Sequence, residues 1–127
     1  MKVADNYRIE GRYASFRPVG KVSFEEGAAA CVEAIRMAGE QGITRLLINL
    51  TRLTGLGPIS TLDRFWLAKQ CASTAKPGFK LAVVANPDTI DPQHFGVMVA
   101  RNQGLLANVF ATEEEAQVWL LSYQLTK

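Results

Sequence analysis

The segment Gly55-Leu56-Gly57-Pro58-Ile59-Ser60 stands between an apolar run and a helical pattern. Glycines ahead of a helix start are the arrangement by which backbone amides cradle a phosphate. A hydroxyl at a helix start is also a place where an added phosphate is stabilised by free amides and by the helix dipole. Two readings of Ser60 follow. In one it is a phosphoacceptor or ligand contact. In the other it is the N-cap of the next helix, with Asp63 three residues on completing the pattern. The cap is the preferred reading. The loop lacks the Gly-Lys-Ser/Thr ending of a P-loop, fails the dinucleotide fingerprint at its third glycine, and loses one amide to Pro58. It is expected to be a flexible crossing between strand and helix. If the chain has a binding site, it is expected here, because crevices of α/β sheets open at the carboxyl ends of parallel strands. Gly55, Gly57, Ser60, Asp63 and Arg64 are the candidate partner- or ligand-binding residues.

Other residues capable of chemistry are sparse. His94 is the single histidine, close to Asp91 and Asp88. It has no nucleophile at a recognisable elbow to form a triad and no Cys/His cluster to form a metal site. A partly exposed polar residue in the first turn of a helix is its expected role. Arg101, with Asn102, closes a helix; it either interacts with the helix dipole or contacts an anion or partner. Cys31 and Cys71 fall inside predicted helices, form no CxxC, and read as reduced, buried thiols. Trp66 and Trp119 read as core, and Glu113, Glu114 and Glu115 as helix-start acids. No catalytic residue, metal or cofactor is expected.

The bulk properties agree with an ordinary globular domain. The chain has 127 residues, 48% hydrophobic and 20% charged, enough for one core. A net charge of +2 from scattered lysines and arginines does not point to nucleic acid. The start, MKVADNYRIEGRY, has no apolar signal region, and no run approaches a membrane span. A cytoplasmic protein with no membrane insertion is expected.

The elements that must position these residues can be read in order. Residues 1 to 5 are expected to be a loose tail. Tyr7 to Glu10 and Arg12 to Arg17 are short strands joined at Gly11. Ser23-Phe24-Glu25-Glu26 is a capping box, opening a helix with Phe24, Ala28, Cys31, Val32 and Ile35 at helical spacing and Gly42 at its end. Arg45 to Leu50, Leu81 to Ala85 and Leu105 to Phe110 are apolar runs suited to parallel strands covered on both faces. The helix from Ser60 to Thr74 is expected to bury Leu62, Phe65 and Trp66 and to stop before Lys76-Pro77-Gly78. The next helix is expected to begin at Asp91-Pro92, with Asp91 as N-cap, to carry Phe95, Met98 and Val99, and to end near Gly104. Thr112 to Glu115 is a second capping box, with Ala116, Trp119, Leu120 and Tyr123 as the apolar stripe of the last helix.

Three segments together, VGKVSFEEG, LLINLTRLTGLG and RNQGLLANVFATEEEAQVWLL, resemble the SpoIIAA-like, or STAS-like, family of small bacterial proteins over nearly the whole chain. The resemblance implies a single domain spanning residues 1–127: an α/β fold with a mixed, mostly parallel sheet of about five strands, one antiparallel at the edge, and four α-helices. The broad fold is shared with the lipid-carrying Sec14-type domain, and sharing a fold does not transfer function. In the sporulation anti-anti-sigma factors of this family a serine at the corresponding helix start is phosphorylated by a partner kinase. By position that makes Ser60 or Thr61 the phosphoacceptor, although this chain has Pro-Ile-Ser-Thr-Leu-Asp in place of an Asp-Ser-Ser-Gly-like run.

The expected function is a non-enzymatic regulatory or protein-interaction module, binding a protein partner through the loop and the second helix. The alternative is a small binding protein for an apolar or amphipathic ligand, against which a single core of this size is expected to leave little spare volume. A homodimer is compatible with either, since symmetric pairs are the commonest oligomers.

Overall fold

The computed structural model of the chain describes residues 2–122. A 3-10 turn over Val3–Asn6 leads into β1 (Tyr7–Ile9) and β2 (Ala14–Phe16). The loose tail expected at the start is thus corrected: Val3 is 8% exposed and belongs to the main core. Then follow β3 (Gly20–Lys21), α1 (Phe24–Glu40), β4 (Arg45–Asn49), β5 (Leu53–Thr54), α2 (Thr61–Thr74), β6 (Lys80–Val84), α3 (Phe95–Asn102), β7 (Leu106–Phe110) and α4 (Glu113–Leu121).

Five strands form one sheet in the order β1-β2-β4-β6-β7. The β1–β2 hairpin is antiparallel and every other pair is parallel. The expected mixed, mostly parallel sheet with four helices is what the chain forms. A second ladder, unseen in the sequence, pairs Gly20 with Leu53 and Lys21 with Thr54.

Alternation along the strands divides the core. Phe16, Leu46, Ile48 and Leu81 pack with residues of α1, α2 and α3 on one face. Leu47, Ala82 and Val84 pack with Tyr13, Ala116 and Leu120 on the other, which α4 covers. Strands buried on both faces need continuous apolar runs, and that is why these segments were legible. Helix α1 has the expected Ser23–Glu26 capping box, with both of its hydrogen bonds formed. Its inner seam is made of small residues, Gly27, Ala30, Ala34 and Ala38, beside Cys31 and Ile35.

Two helices differ from expectation. On α2, Leu62 and Trp66 are 62% and 55% exposed, and Phe65 is half-buried. The buried face is Ala68 and Cys71, with Leu67 packed against the same core. One turn carries apolar residues on opposite sides, so periodicity alone pointed to the wrong side. Trp66 is therefore not core; it meets Phe65 edge-on at 5.8 Å. The second difference is the start of α3. Asp91-Pro92 opens a separate turn, and the helix begins at Phe95 with His94 as N-cap. Asp91 still accepts from helix-start amides, those of Gln93 and Phe95, at 3.1 and 2.9 Å. Met98 points outward, 56% exposed, and Ala100 is the buried residue of that helix.

Helix α4 starts with Thr112 accepting from the Glu115 amide, but Glu115 takes the Thr112 hydroxyl rather than the Thr112 amide, so only half of the expected box forms. Glu113 is turned inward instead of merely facing the dipole: its carboxylate receives both Nε and Nη2 of Arg17, at 2.7 and 3.0 Å, and the Asn49 amide at 2.7 Å. Ala116 and Leu120 are buried and Trp119 half-buried, as the stripe required; Tyr123 lies outside the described residues. At its other end Lys80, 5% exposed, donates to the carbonyl oxygens of Trp119 (2.6 Å) and Ser122 (3.2 Å), supplying the donors that a helix C-terminus lacks.

Candidate functional site

Small side chains face one another where α2 and α3 cover the sheet. Helix α2 brings Ala68 and Cys71, α3 brings Gly96 and Ala100, β7 brings Ala107, and the residue just past β6 is Ala85. Interiors are normally filled to crystal-like density, and here the facing residues are too small to meet. The result is an apolar cavity of about 370 Å³, within the range of small-molecule sites. Its floor is the alternating set Ile48, Leu81 and Val83. Cys31 and Cys71 also line it. Burial pushes the Cys31 thiol up to about 12, and Cys71 is raised by burial and by its neighbour Cys31. Both are neutral thiols that behave as small apolar groups.

The glycine loop forms part of the wall. Its first half is pinned by the β3–β5 ladder rather than being a flexible crossing: the Val22 amide donates to the Thr54 carbonyl at 2.9 Å. Gly55 (φ 86°) lies so close that a Cβ there would sit 2.9 Å from Lys21 Cγ and 3.0 Å from the Val22 carbonyl oxygen. Leu56 leans on α1 at Gly27, where a Cβ would be 3.3 Å from Leu56 Cδ2 and would push it aside by a few tenths of an ångström.

Polar groups collect at the edge of this apolar space. Arg64, from the first turn of α2, lines it and donates through Nη2 to the Thr89 carbonyl at 3.0 Å. Asp91 lines it too. Its bond from the Phe95 amide, then that from Gln93, hold the carboxyl below its usual range, with Arg64 and His94 adding to the effect. His94 adopts a left-handed backbone (φ 52°) and caps α3 without a side-chain bond, leaving its ring beside the cavity. A non-glycine residue in this region is uncommon and strained, and such residues concentrate at functional sites.

The structure thus brings Gly55, Gly57 and Arg64 together around one cavity, joined by Asp91 and His94. Ser60, Thr61 and Asp63 do not line it. Ser60 Oγ accepts from the Asp63 amide at 3.0 Å and Asp63 accepts from the Ser60 amide at 3.3 Å, a complete capping box. A phosphate on Ser60 would stand against the Asp63 carboxylate, an unfavourable pairing of like charges. Thr61 is exposed in the first turn. Arg101 donates to the Ala107 carbonyl at 3.0 Å, near the amino end of β7 and thus at the opposite end of the sheet from the loop. Asp91 and His94 make no side-chain bond to each other; each Asp91 oxygen accepts from a backbone amide instead.

Sequence reasoning missed the cavity itself. Its walls come from small residues scattered over three helices and the sheet, and no local spacing marks them. The left-handed His94 was equally unmarked, since helix-start signals favoured Asp91. Among the described residues, no group of three or more His, Cys, Asp or Glu side chains is placed to hold a metal ion. No helix among them is long and apolar enough to cross a membrane.

No protein-family model matches the chain, and no curated protein matches it. Among solved structures, it is similar to the anti-sigma factor antagonist SpoIIAA in its unphosphorylated form, at 19% identity and a TM-score of 0.46, covering 87% of this chain and 92% of that one. It is also similar to an uncharacterized protein of the DUF3478 family with a SpoIIAA-like fold from Shewanella loihica PV-4. There the identity is 21% and the TM-score 0.47, with 90% of each chain covered. The likeness is to fold outline, and nothing about activity or partner comes to this chain from it.

Proposed function

We propose that the chain is a non-enzymatic binding module that takes a small apolar or amphipathic molecule into the cavity beneath α2 and α3. One observation carries the proposal: about 370 Å³ of apolar space inside a chain of 127 residues, where little spare volume was expected. A cleft of this volume with apolar walls and a few polar groups at its edge is the usual form of a small-molecule site. The site's polar groups sit at its edge, where they orient a ligand rather than attack it. The test is titration with the neutral fluorophore N-phenyl-1-naphthylamine. The expected result is saturable, one-to-one binding with enhanced emission, abolished in Val83→Phe, which places a ring into the cavity floor. Equal binding by the variant, folded as judged by its melting curve, would put the dye elsewhere and overturn the reading.

A second reading is favoured by a different observation. Leu62 and Trp66, one turn apart, are exposed on α2 beside the glycine loop. Tryptophan is among the residues that most often anchor protein interfaces, and Leu62 extends the apolar patch beside Trp66. A regulatory partner bound through the loop and α2 would use them. Capture experiments in the native host with wild type and a Leu62→Ser/Trp66→Ser variant test this: a partner retained equally by both excludes that face.

A further inference from the structure

We propose that two copies of the chain pair through strand β1, antiparallel about a two-fold axis at Ile9, so that their sheets join into one. The pairing is independent of the cavity, because β1 is the edge strand opposite β7 and lies away from α2 and α3. The two edges of the main sheet are finished differently. On β7, Phe110 gives its carbonyl oxygen inward to the Ala85 amide, and inward bonding alternates along the strand, so the outward groups belong to Ala107 and Val109. Two of these are occupied from within the chain. Arg101 Nε donates to the Ala107 carbonyl at 3.0 Å, and the Val109 amide donates to Asn108 Oδ1 at 2.8 Å. A strand arriving there would have to displace both.

Strand β1 has no such cover. The Arg17 amide donates to the Asn6 carbonyl and the Glu10 amide to the Tyr13 carbonyl, so even-numbered residues bond inward to β2. The amides and carbonyls of Tyr7 and Ile9 face outward, and no bond to them is formed among the described residues. The Ile9 side chain is 57% exposed beside them. An edge of this kind is a template for another strand.

Charge selects a second copy and its register. Outward residues must meet outward residues, which allows three two-fold registers. Tyr7 opposite Tyr7 runs the partner strand into the 3-10 turn that ends at Asn6. Tyr7 opposite Ile9 sets Arg8 directly against Arg8, and facing like charges destabilise a strand pair. Ile9 opposite Ile9 sets each Arg8 against the partner's Glu10, twice over. The Arg8 side chain is exposed and makes no bond among the described residues. Glu10 receives Ser15 and Arg17 on Oε2, and its Oε1 has no bond among the described residues. Charges on an edge strand ordinarily discourage pairing; here opposite signs two residues apart meet across the axis and favour one register.

The contact is small, so a reversible dimer is expected, measured by sedimentation equilibrium up to about 1 mM chain. Arg8→Glu should raise the dissociation constant about tenfold, as two favourable pairs become two repulsive ones. Glu10→Arg should do the same, and an equimolar mixture of the two variants should pair again, because each chain then offers the charge the other lacks. Ile9→Cys gives a readout that needs no folded Glu10→Arg: the facing positions of a bonded pair lie about 5.5 Å apart, within disulfide reach. With oxidised glutathione it should cross-link to a dimer much faster than Val19→Cys, whose position is equally exposed at 56%. A wild type that stays monomeric throughout, a dimer untouched by Arg8→Glu, or cross-linking of the two cysteine variants at one rate would each overturn the pairing.

Discussion

Ser60 and Gly55 show how much a single position can hold. Ser60 is the hydroxyl half of a complete capping box, so Ser60→Ala should lower unfolding stability by about 1 kcal/mol in a denaturant titration. A mutant as stable as wild type would remove the cap from the account. The two loop glycines make a sharper comparison. Both have positive φ, 86° at Gly55 and 69° at Gly57, but only Gly55 is crowded, and nothing lies within 4 Å of a Cβ at Gly57. Gly57→Ala should show only the left-handed penalty of about 1 kcal/mol, whereas Gly55→Ala should lose clearly more and loosen the β3–β5 ladder. Equal losses, measured by the same titration, would mean the Lys21 and Val22 contacts give way freely. Lys80 is the buried cation of the molecule's second face. Burial, and then the neighbouring Arg45, push its ammonium down, yet it satisfies the end of α4. Lys80→Met keeps the stem and removes the donors, and about 2 kcal/mol should be lost in chemical unfolding.

Elements are tied together by charge where the apolar core ends. Arg17, just beyond β2, joins the hairpin to α4 and β4 through Glu113, and to its own hairpin through Glu10 at 2.7 Å. Arg17, then Asn49, lower Glu113; Ser15, then Arg17, lower Glu10. Both carboxyls are thus depressed in the folded state, so the unfolded chain takes up protons first as the pH falls. The stabilisation is complete above the ordinary value of 4.5 and is lost as the pH drops through the lower folded values. Because the Arg17 and Glu113 side chains are 30% and 35% exposed, solvent screening limits this to about 1 kcal/mol. Unfolding midpoints measured between about pH 6 and pH 3 should fall less steeply in Glu113→Gln than in wild type. Parallel curves would show that the pair does not titrate with folding. Glu10, Ser15 and Arg17 are close in sequence, but Arg17 and Glu113 are 96 positions apart.

For the molecule as a whole, the same void that weakens packing supplies binding energy. A ligand held only by the folded state raises stability by mass action, about 2.7 kcal/mol at a hundred times its dissociation constant. N-phenyl-1-naphthylamine should therefore raise the melting temperature in a concentration-dependent way, and Val83→Phe should melt at a temperature indifferent to it. A rise of the same size in both would assign the effect to the protein surface. The five-stranded order puts Gly55, Arg64, Asp91 and His94 at the carboxyl ends of β4 and β6, where the crossovers to α2 and α3 leave the sheet.

The strands of the main sheet, the parallel character of its apolar runs and three of the four helix starts were legible in the residues. Each rests on local chemistry: continuous apolar runs, a hydroxyl or carboxylate before a helix, glycine after one. Leu62 and Trp66 were misplaced because an apolar residue marks a helix without saying which side meets the core. The start of α3 was misplaced because Asp91 holds amides of a turn and of a helix at once. The cavity, the buried Lys80 and the Arg17–Glu113 pair could not be read from spacing, because each depends on side chains from distant segments meeting across the sheet. Whether small residues leave a void or close on one another is a matter of how far apart the backbones are held, and that distance is set by the packed elements together.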